Sequence, residues 1–274
     1  MPELPDVETM RRYLESTSLY QEIAAVNVED RQVVSDLSAE KLTKRLMGRS
    51  FVSTERHGKY LFVMLDQPEE GVLVLHFGVT GGLRYFCDRC DRPEYTRVLI
   101  RFANGYHLAY HAIRKLGQVA VTSDVERFVD RKKLGPDVLD PDFDLAAFRE
   151  VVDGRQAMTK AVLVDQQIMA GIGNVYGDEI LFQTRVHPRT RIDKLNDAEL
   201  ADLFRNMKLV LQTAIDCQAD PDRFPNWFLA PLRHERGRCP LCDVELRRVK
   251  VSSRTSYFCP RRQRQISCGA EEDG

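Results

Sequence analysis

Apolar residues along the first half of the chain recur with two different periods. Val7, Met10 and Leu14 stand at helical spacing, which predicts a short helix over residues 6–14. Beyond it the runs become short and strand-like: YLFVMLD (60–66), GVLVLHF (71–77) and TRVLIRF (96–102), each bounded by proline, glycine or charged residues. RFANGYHLAYH contains an Asn-Gly pair, whose backbones accept the positive φ of a tight hairpin. An antiparallel sandwich or barrel is the natural sum of these signals.

The pattern changes at LGPDVLDPDFD (134–144), where two prolines and four aspartates interrupt the strands and helical periodicity follows. Asn196 with Glu199 predicts a capping box at the head of a helix that carries Leu200, Leu203, Phe204, Met207 and Leu211 on one face. The prolines of DPDRFPNWFLAPLR close the helical region. CPLC, a run of β-favouring residues and SRTSYFCP then predict a two-stranded ribbon pinned at its base by cysteines. The expected organisation is a multidomain α+β chain: a β-sandwich over 1–133, a linker over 134–144, a helical domain over 145–235 and a β-hairpin over 236–274.

Composition narrows the class. The chain has 274 residues, 43% hydrophobic and 30% charged, and no apolar run approaches the length of a membrane span. MPELPDVETM lacks the basic and apolar stretches of a signal peptide, so a cytoplasmic location is expected. Seven cysteines include two CxxC pairs, which in that compartment points to metal or redox chemistry before structural disulfides. A net charge of −1 argues against bulk coating of nucleic acid, yet residues 233–264 hold ten Arg or Lys against three acids. A local basic module suits a protein that grips a few phosphates at one face; a solvated arginine-rich hairpin without a partner is the alternative.

The N-terminus carries the clearest chemistry. Removal of Met1 exposes Pro2, a secondary amine of α-amino type whose pKa near 8 leaves a nucleophilic fraction at neutral pH. Such an amine forms an iminium ion with a sugar aldehyde carbon. Glu3 beside it is placed to protonate a leaving oxygen or to shuttle protons.

Four segments, in order, resemble the formamidopyrimidine-DNA glycosylase and endonuclease VIII family: PELPDVE at the start, HGKYL (57–61), DQQIMAGIGNVYGDEILF (165–182) and CPLC…SRTSYFCP (239–260). The resemblance runs the whole length and implies a helix–two-turn–helix in the helical domain and a zinc ribbon at the C-terminus. It also implies roles. Pro2, Glu3, Lys59 and Arg254 would be catalytic, Lys59 reaching the phosphate beside the lesion or assisting elimination, and Arg254 gripping flanking phosphates through its guanidinium fork. The glycines of GIGN would let backbone approach a phosphate, Asn174 would offer amide donors to the same oxygen, and Lys160 would bind the DNA backbone.

Several positions depart from the family pattern. Its second CxxC reads Cys259-Pro-Arg-Arg262, so zinc would need Cys268 beside Cys239, Cys242 and Cys259; a site without zinc, held by packing, stays equally open. Cys87 and Cys90 share one loop and cannot fill a zinc site alone, which leaves a redox-labile surface pair. Enzymes that rotate a base out of the stack fill the void with side chains. Val79 and Leu116 stand where the family carries a methionine and a phenylalanine, while Arg114 is retained; core packing is the alternative for Val79 and Leu116. Tyr95 replaces a phosphate-binding histidine, and Ala112 an aspartate. The segment joining the helical domain to the ribbon lacks the glycine pair of the branch that removes oxidised purines, which weakens 8-oxoguanine as the substrate and leaves oxidised pyrimidines, ring-opened purines or hydantoins.

The expectation is a monomeric, cytoplasmic and nucleoid-associated DNA glycosylase with AP lyase activity. It would excise oxidised bases from double-stranded DNA through a Pro2 Schiff base, with DNA held in a cleft between its halves. A non-catalytic lesion binder, or a redox-responsive DNA-binding protein using Cys87 and Cys90, is the rival.

Overall fold

A computed structural model describes residues 2–263. The chain divides into two compact units, Met1–Lys133 and Leu134–Gly274. The first holds helices α1 (Leu4–Ser18), α2 (Ala39–Leu46) and α3 (Val125–Lys132), with strands β1 (Ile23–Val28), β2 (Phe51–His57), β3 (Tyr60–Leu65), β4 (Val72–His76), β5 (Gly81–Phe86), β6 (Thr96–Phe102), β7 (His107–Ala112) and β8 (Gln118–Thr122). The second holds α4 (Leu145–Val152), α5 (Thr159–Val164), α6 (Asn174–Gln183) and α7 (Asp197–Asp216), then β9 (Arg247–Val251) and β10 (Arg254–Phe258). The fold class is therefore α+β, with two N-terminal sheets, a helical region and a C-terminal β-hairpin.

In the first unit two antiparallel four-stranded sheets, ordered β1-β6-β7-β5 and β2-β3-β4-β8, enclose one core. Leu61, Val63, Leu65, Leu73 and Leu75 from one sheet meet Val98, Ile100, Phe102, Leu108 and Tyr110 from the other. The intervening residues Phe62 and Val74 face the other way and are covered by Phe128 of α3. Burial on both faces explains why β3 and β4 read as continuous apolar runs rather than alternating ones. The helix expected over 6–14 begins earlier and ends later. Pro5 lies in its first turn, where the missing N–H leaves nothing unsatisfied. The Asn-Gly pair forms the β6–β7 turn, with Gly105 at φ +88°. Cys87 and Cys90 are both exposed in the β5–β6 connection.

In the second unit α7 carries its expected capping box: the Glu199 amide donates to Asn196 Oδ1 at 3.0 Å, and the Asn196 amide to Glu199 Oε2 at 2.8 Å. Its buried stripe is Leu203, Met207, Val210, Leu211, Ala214 and Ile215. β9 and β10 pair antiparallel around Ser252 and Ser253, both with positive φ, and a small cluster of Phe182, Leu229, Cys239, Leu246 and Cys259 seats the hairpin on α6. Among the described residues no helix is long and apolar enough to cross a membrane.

Candidate functional site

Pro2 is half-buried and precedes Glu3, the N-cap of α1, which is 1% exposed. The Glu3 amide donates to the Asp6 carboxylate at 2.9 Å. Burial pushes the Asp6 carboxyl up to about 6, although the bond from Glu3 opposes the rise. A carboxyl titrating there exchanges protons near neutral pH. Sequence reading missed Asp6, whose only signal is an acid three residues after an N-cap acid.

Lys59 is the second residue of a two-residue β2–β3 turn that opens with Gly58 at φ +55°, and only 9% of it is exposed. Glu8 of α1 accepts from Arg11, Arg12 and Arg56, and Arg56 donates to Gly58 O at 3.2 Å, so α1 is tied to the turn that carries Lys59. Burial, together with the charges of Lys59 and Lys132, brings the His76 imidazole down to about 4. The neutral ring leans on Tyr60 at 4.8 Å and accepts the Gly78 amide on Nδ1 at 3.3 Å, which leaves its proton on Nε2.

Val79, Arg114 and Leu116 are brought together by two neighbouring loops. Val79 is half-buried, Arg114 is exposed, and Leu116 is 61% exposed. The Arg114 amide donates to Thr80 Oγ1 at 2.9 Å. Tyr95 is exposed in its own right, with its ring beneath the Arg97 guanidinium at 5.7 Å.

The second unit gathers its residues at the head of α6. Gly171 adopts φ +122° and Gly173 caps the helix, so the GIGN segment turns directly into its N-terminus. Backbone N–H groups and the positive end of the dipole collect there. The Asn174 side-chain amide donates to Thr255 O on β10 at 2.9 Å, so at least one of its donors serves the hairpin rather than a ligand.

Lys160, which the resemblance implies binds the DNA backbone, is 1% exposed and paired with Asp178 at 2.6 Å. Its ammonium also donates to Asn174 O at 2.7 Å. Gly177 makes room for it, since a Cβ there would lie 3.0 Å from Lys160 Nζ. In this placement Lys160 acts on the turn through Asn174.

Asp178 also accepts from Arg233 at 2.7 and 2.9 Å and from the Tyr257 amide at 3.0 Å. The Arg233 guanidinium lies 5.3 Å from the Tyr257 ring. Neither Asp178 nor Arg233 was singled out from the sequence, because an acid inside a helical signature looks like any solvated one. Next to it, Glu179 accepts from the Ala230 amide and Gln183 Nε2, both at 2.7 Å, and burial pushes its carboxyl up to about 7. Arg254 stands exposed at the hairpin tip, directly after the Ser252–Ser253 turn.

Cys239, Cys242 and Cys259 place their thiols within 4.8 Å of one another. Three converging sulfurs fit three corners of a tetrahedral thiolate centre, so this cluster could hold a metal ion. Arg262, at the family's fourth ligand position, instead lies over the Phe182 ring at 5.7 Å. Cys268 falls outside the described residues.

Two outcomes follow from the buried acids. Removing a charge that neutralises two interior cations leaves them unpaired, so Asp178→Asn should cost about 3–5 kcal/mol of unfolding free energy in urea titrations; wild-type stability would refute the role of Asp178 as their shared counter-ion. Glu179 ordinarily ionises near 4.5 but in the folded protein holds its proton to about 7. The folded state thus binds the extra proton across that window, and its contribution falls as pH rises from about 4.5 to about 7. Glu179→Gln should flatten this decline in stability measured against pH, and an unchanged slope would assign it to another group.

Comparison with known proteins agrees over nearly the whole chain. The family models for the formamidopyrimidine-DNA glycosylase N-terminal domain and H2TH domain match residues 1–119 and 134–224. The formamidopyrimidine-DNA glycosylase of Streptococcus pyogenes serotype M3 is 33% identical over 278 residues, covering 97% of this chain and 99% of the relative. That of Moorella thermoacetica is 37% identical over 217 residues, 78% of each chain. The Lactococcus lactis enzyme, solved in complex with DNA containing N7-benzyl-Fapy-dG, superposes with a TM-score of 0.86 at 28% identity, covering 96% of this chain and 100% of that one. The same enzyme bound non-covalently to DNA with an abasic site also gives a TM-score of 0.86. The chain belongs to the formamidopyrimidine-DNA glycosylase family.

Proposed function

We propose that this protein is a DNA glycosylase with AP lyase activity, excising oxidised bases from duplex DNA and then cleaving the strand. The observation that carries the reading is the N-terminal constellation: Pro2 directly before a buried Glu3, with Asp6 poised near neutral pH, in a member of this family. With Met1 removed, the Pro2 amine attacks C1′ of the extruded nucleoside while Glu3 protonates the opening sugar. The base departs with the C1′–N bond electrons, leaving an iminium that acidifies the 2′ proton. Loss of that proton expels the 3′ phosphate, and Lys59 serves this elimination or the phosphate beside it. The head of α6 and Arg254 hold backbone phosphates, and Arg114, Val79 and Leu116 occupy the void. Ring-opened purines are the first lesion to test, since the Lactococcus lactis relative was solved with a Fapy lesion.

Borohydride trapping tests the reading, using duplexes with an abasic site or one of several oxidised bases. Wild-type protein should form a covalent complex that Pro2→Gly and an N-terminally blocked form make poorly or not at all. Glu3→Gln should lose about 10²–10⁴-fold in base excision while still trapping on abasic DNA. Tight binding with no trapping on any duplex would overturn catalysis and favour a lesion-binding protein.

The cysteine cluster is proposed to hold structural zinc, with Cys239, Cys242 and Cys259 as three ligands and Cys268 as the fourth. Zinc would cross-link the base of the hairpin and supply no reacting atom. Metal analysis should find one zinc per wild-type chain and a loss in Cys268→Ser; full zinc in the variant would exclude Cys268 as a required ligand.

A further inference from the structure

The loop carrying Arg114 is short, exposed and apolar at both shoulders, with Ile113 59% and Leu116 61% accessible. An unsupported loop of this kind samples many conformers, and each contact it makes carries the cost of ordering it. Here the main chain is held from two sides. Arg97 on β6 donates to Ala112 O at 2.9 Å and to Ile113 O at 3.5 Å. The Ala112 amide donates to Tyr95 O at 3.1 Å.

Asp30, two residues beyond β1, joins this guanidinium to the loop's own lysine. Its carboxylate lies 3.4 Å from Arg97 and 2.7 Å from Lys115, and the Asp30 and Arg97 side chains are only 14% and 15% exposed. Charges so sheltered are screened less than surface pairs. On the opposite side, Arg114 is tied to Thr80, and a Cβ at Gly78 would stand 2.5 Å from Gly117 N and Leu116 C. The turn bearing Val79 therefore abuts the far end of the loop. The family's aspartate at position 112 is alanine in this chain, so that side chain can anchor nothing. The backbone carbonyl of Ala112, held by Arg97, does so.

We propose that Asp30 and Arg97, with Lys115, are positioning residues that preset the Arg114 loop and thereby set the selectivity of excision for the base opposite the lesion. This rests on the glycosylase reading above. None of the three needs to touch the reacting sugar. Their contribution is made only where an opposite strand and a void exist.

The test compares wild type, Asp30→Asn, Lys115→Gln and the conservative Asp30→Glu. Single-turnover excision is measured on duplexes with one lesion opposite each of the four bases, and borohydride trapping on a single-stranded abasic oligonucleotide. Asp30→Asn and Lys115→Gln should compress the ratio between best and worst opposite base by about 3- to 10-fold and raise the half-saturating DNA concentration. Single-strand trapping should be unchanged, and Asp30→Glu should restore much of the ratio. An unaltered ratio in both neutral variants, or single-strand trapping that falls in parallel, overturns the proposal. Lys115 is 41% exposed, so its variant reports even if Asp30→Asn folds poorly. Wild-type protein that excises nothing would overturn the glycosylase reading and this one with it. An active wild type with unaltered variants overturns this one alone.

Discussion

A carboxylate taken out of water must be repaid by cations and hydrogen bonds, and Asp178, fully buried, imposes that requirement on the whole C-terminal unit. Lys160 comes from α5, Arg233 from the segment after α7, and the Tyr257 amide from β10. One anion thus determines where three stretches of chain meet the head of α6. Two cations surround it, so the neighbourhood keeps a surplus positive charge beside a helix N-terminus that already favours anions. The arrangement that stabilises the unit would also favour an anion at that helix head.

The N-terminal unit repeats this logic. Glu8 is outnumbered by Arg11, Arg12 and Arg56, and Asp30 by Arg97 and Lys115. In each case the acid is the scaffold and a loop is what it orients: the Lys59 turn through Gly58 O, and the Arg114 loop through Ala112 O. A chain with net charge −1 can therefore keep local cationic surplus beside the Lys59 turn and the Arg114 loop.

Much of this was legible in the sequence, for reasons that differ by element. The α7 capping box involves residues three apart, so local pattern suffices. The runs in β3 and β4 were readable as strands, but their burial on both faces depended on α3, whose Phe128 reaches Phe62 across the chain. Helices α2 and α3 were not anticipated, being eight residues each with only Leu42 and Leu46, and Phe128, buried. The inward direction of Lys160 was not readable, because its burial required both Asp178 eighteen residues on and the missing side chain of Gly177. Asp6 and Asp30 escaped notice for the same reason. An acid's role depends on which cations or amides the fold brings to it, and spacing along the chain records that only when the partners are local.

The ribbon with its altered motif also rests on long-range support from side chains outside the thiol cluster. Arg262 stands at the family's fourth thiolate, yet the hairpin is held at points independent of any metal. Asp178 takes the Tyr257 amide, Asn174 donates to Thr255 O, and Phe258 meets the His187 ring at 4.5 Å. Immediately after Arg262, the buried Gln263 accepts the Cys259 amide at 2.8 Å and donates to Val186 O at 2.9 Å, bridging Cys259 to the residues after α6. These bonds restrain the register of β10 and the end of the hairpin through side chains outside the thiol cluster. A metal held by Cys239, Cys242 and Cys259 would add to a hairpin that these bonds already seat, with Arg254 at its tip.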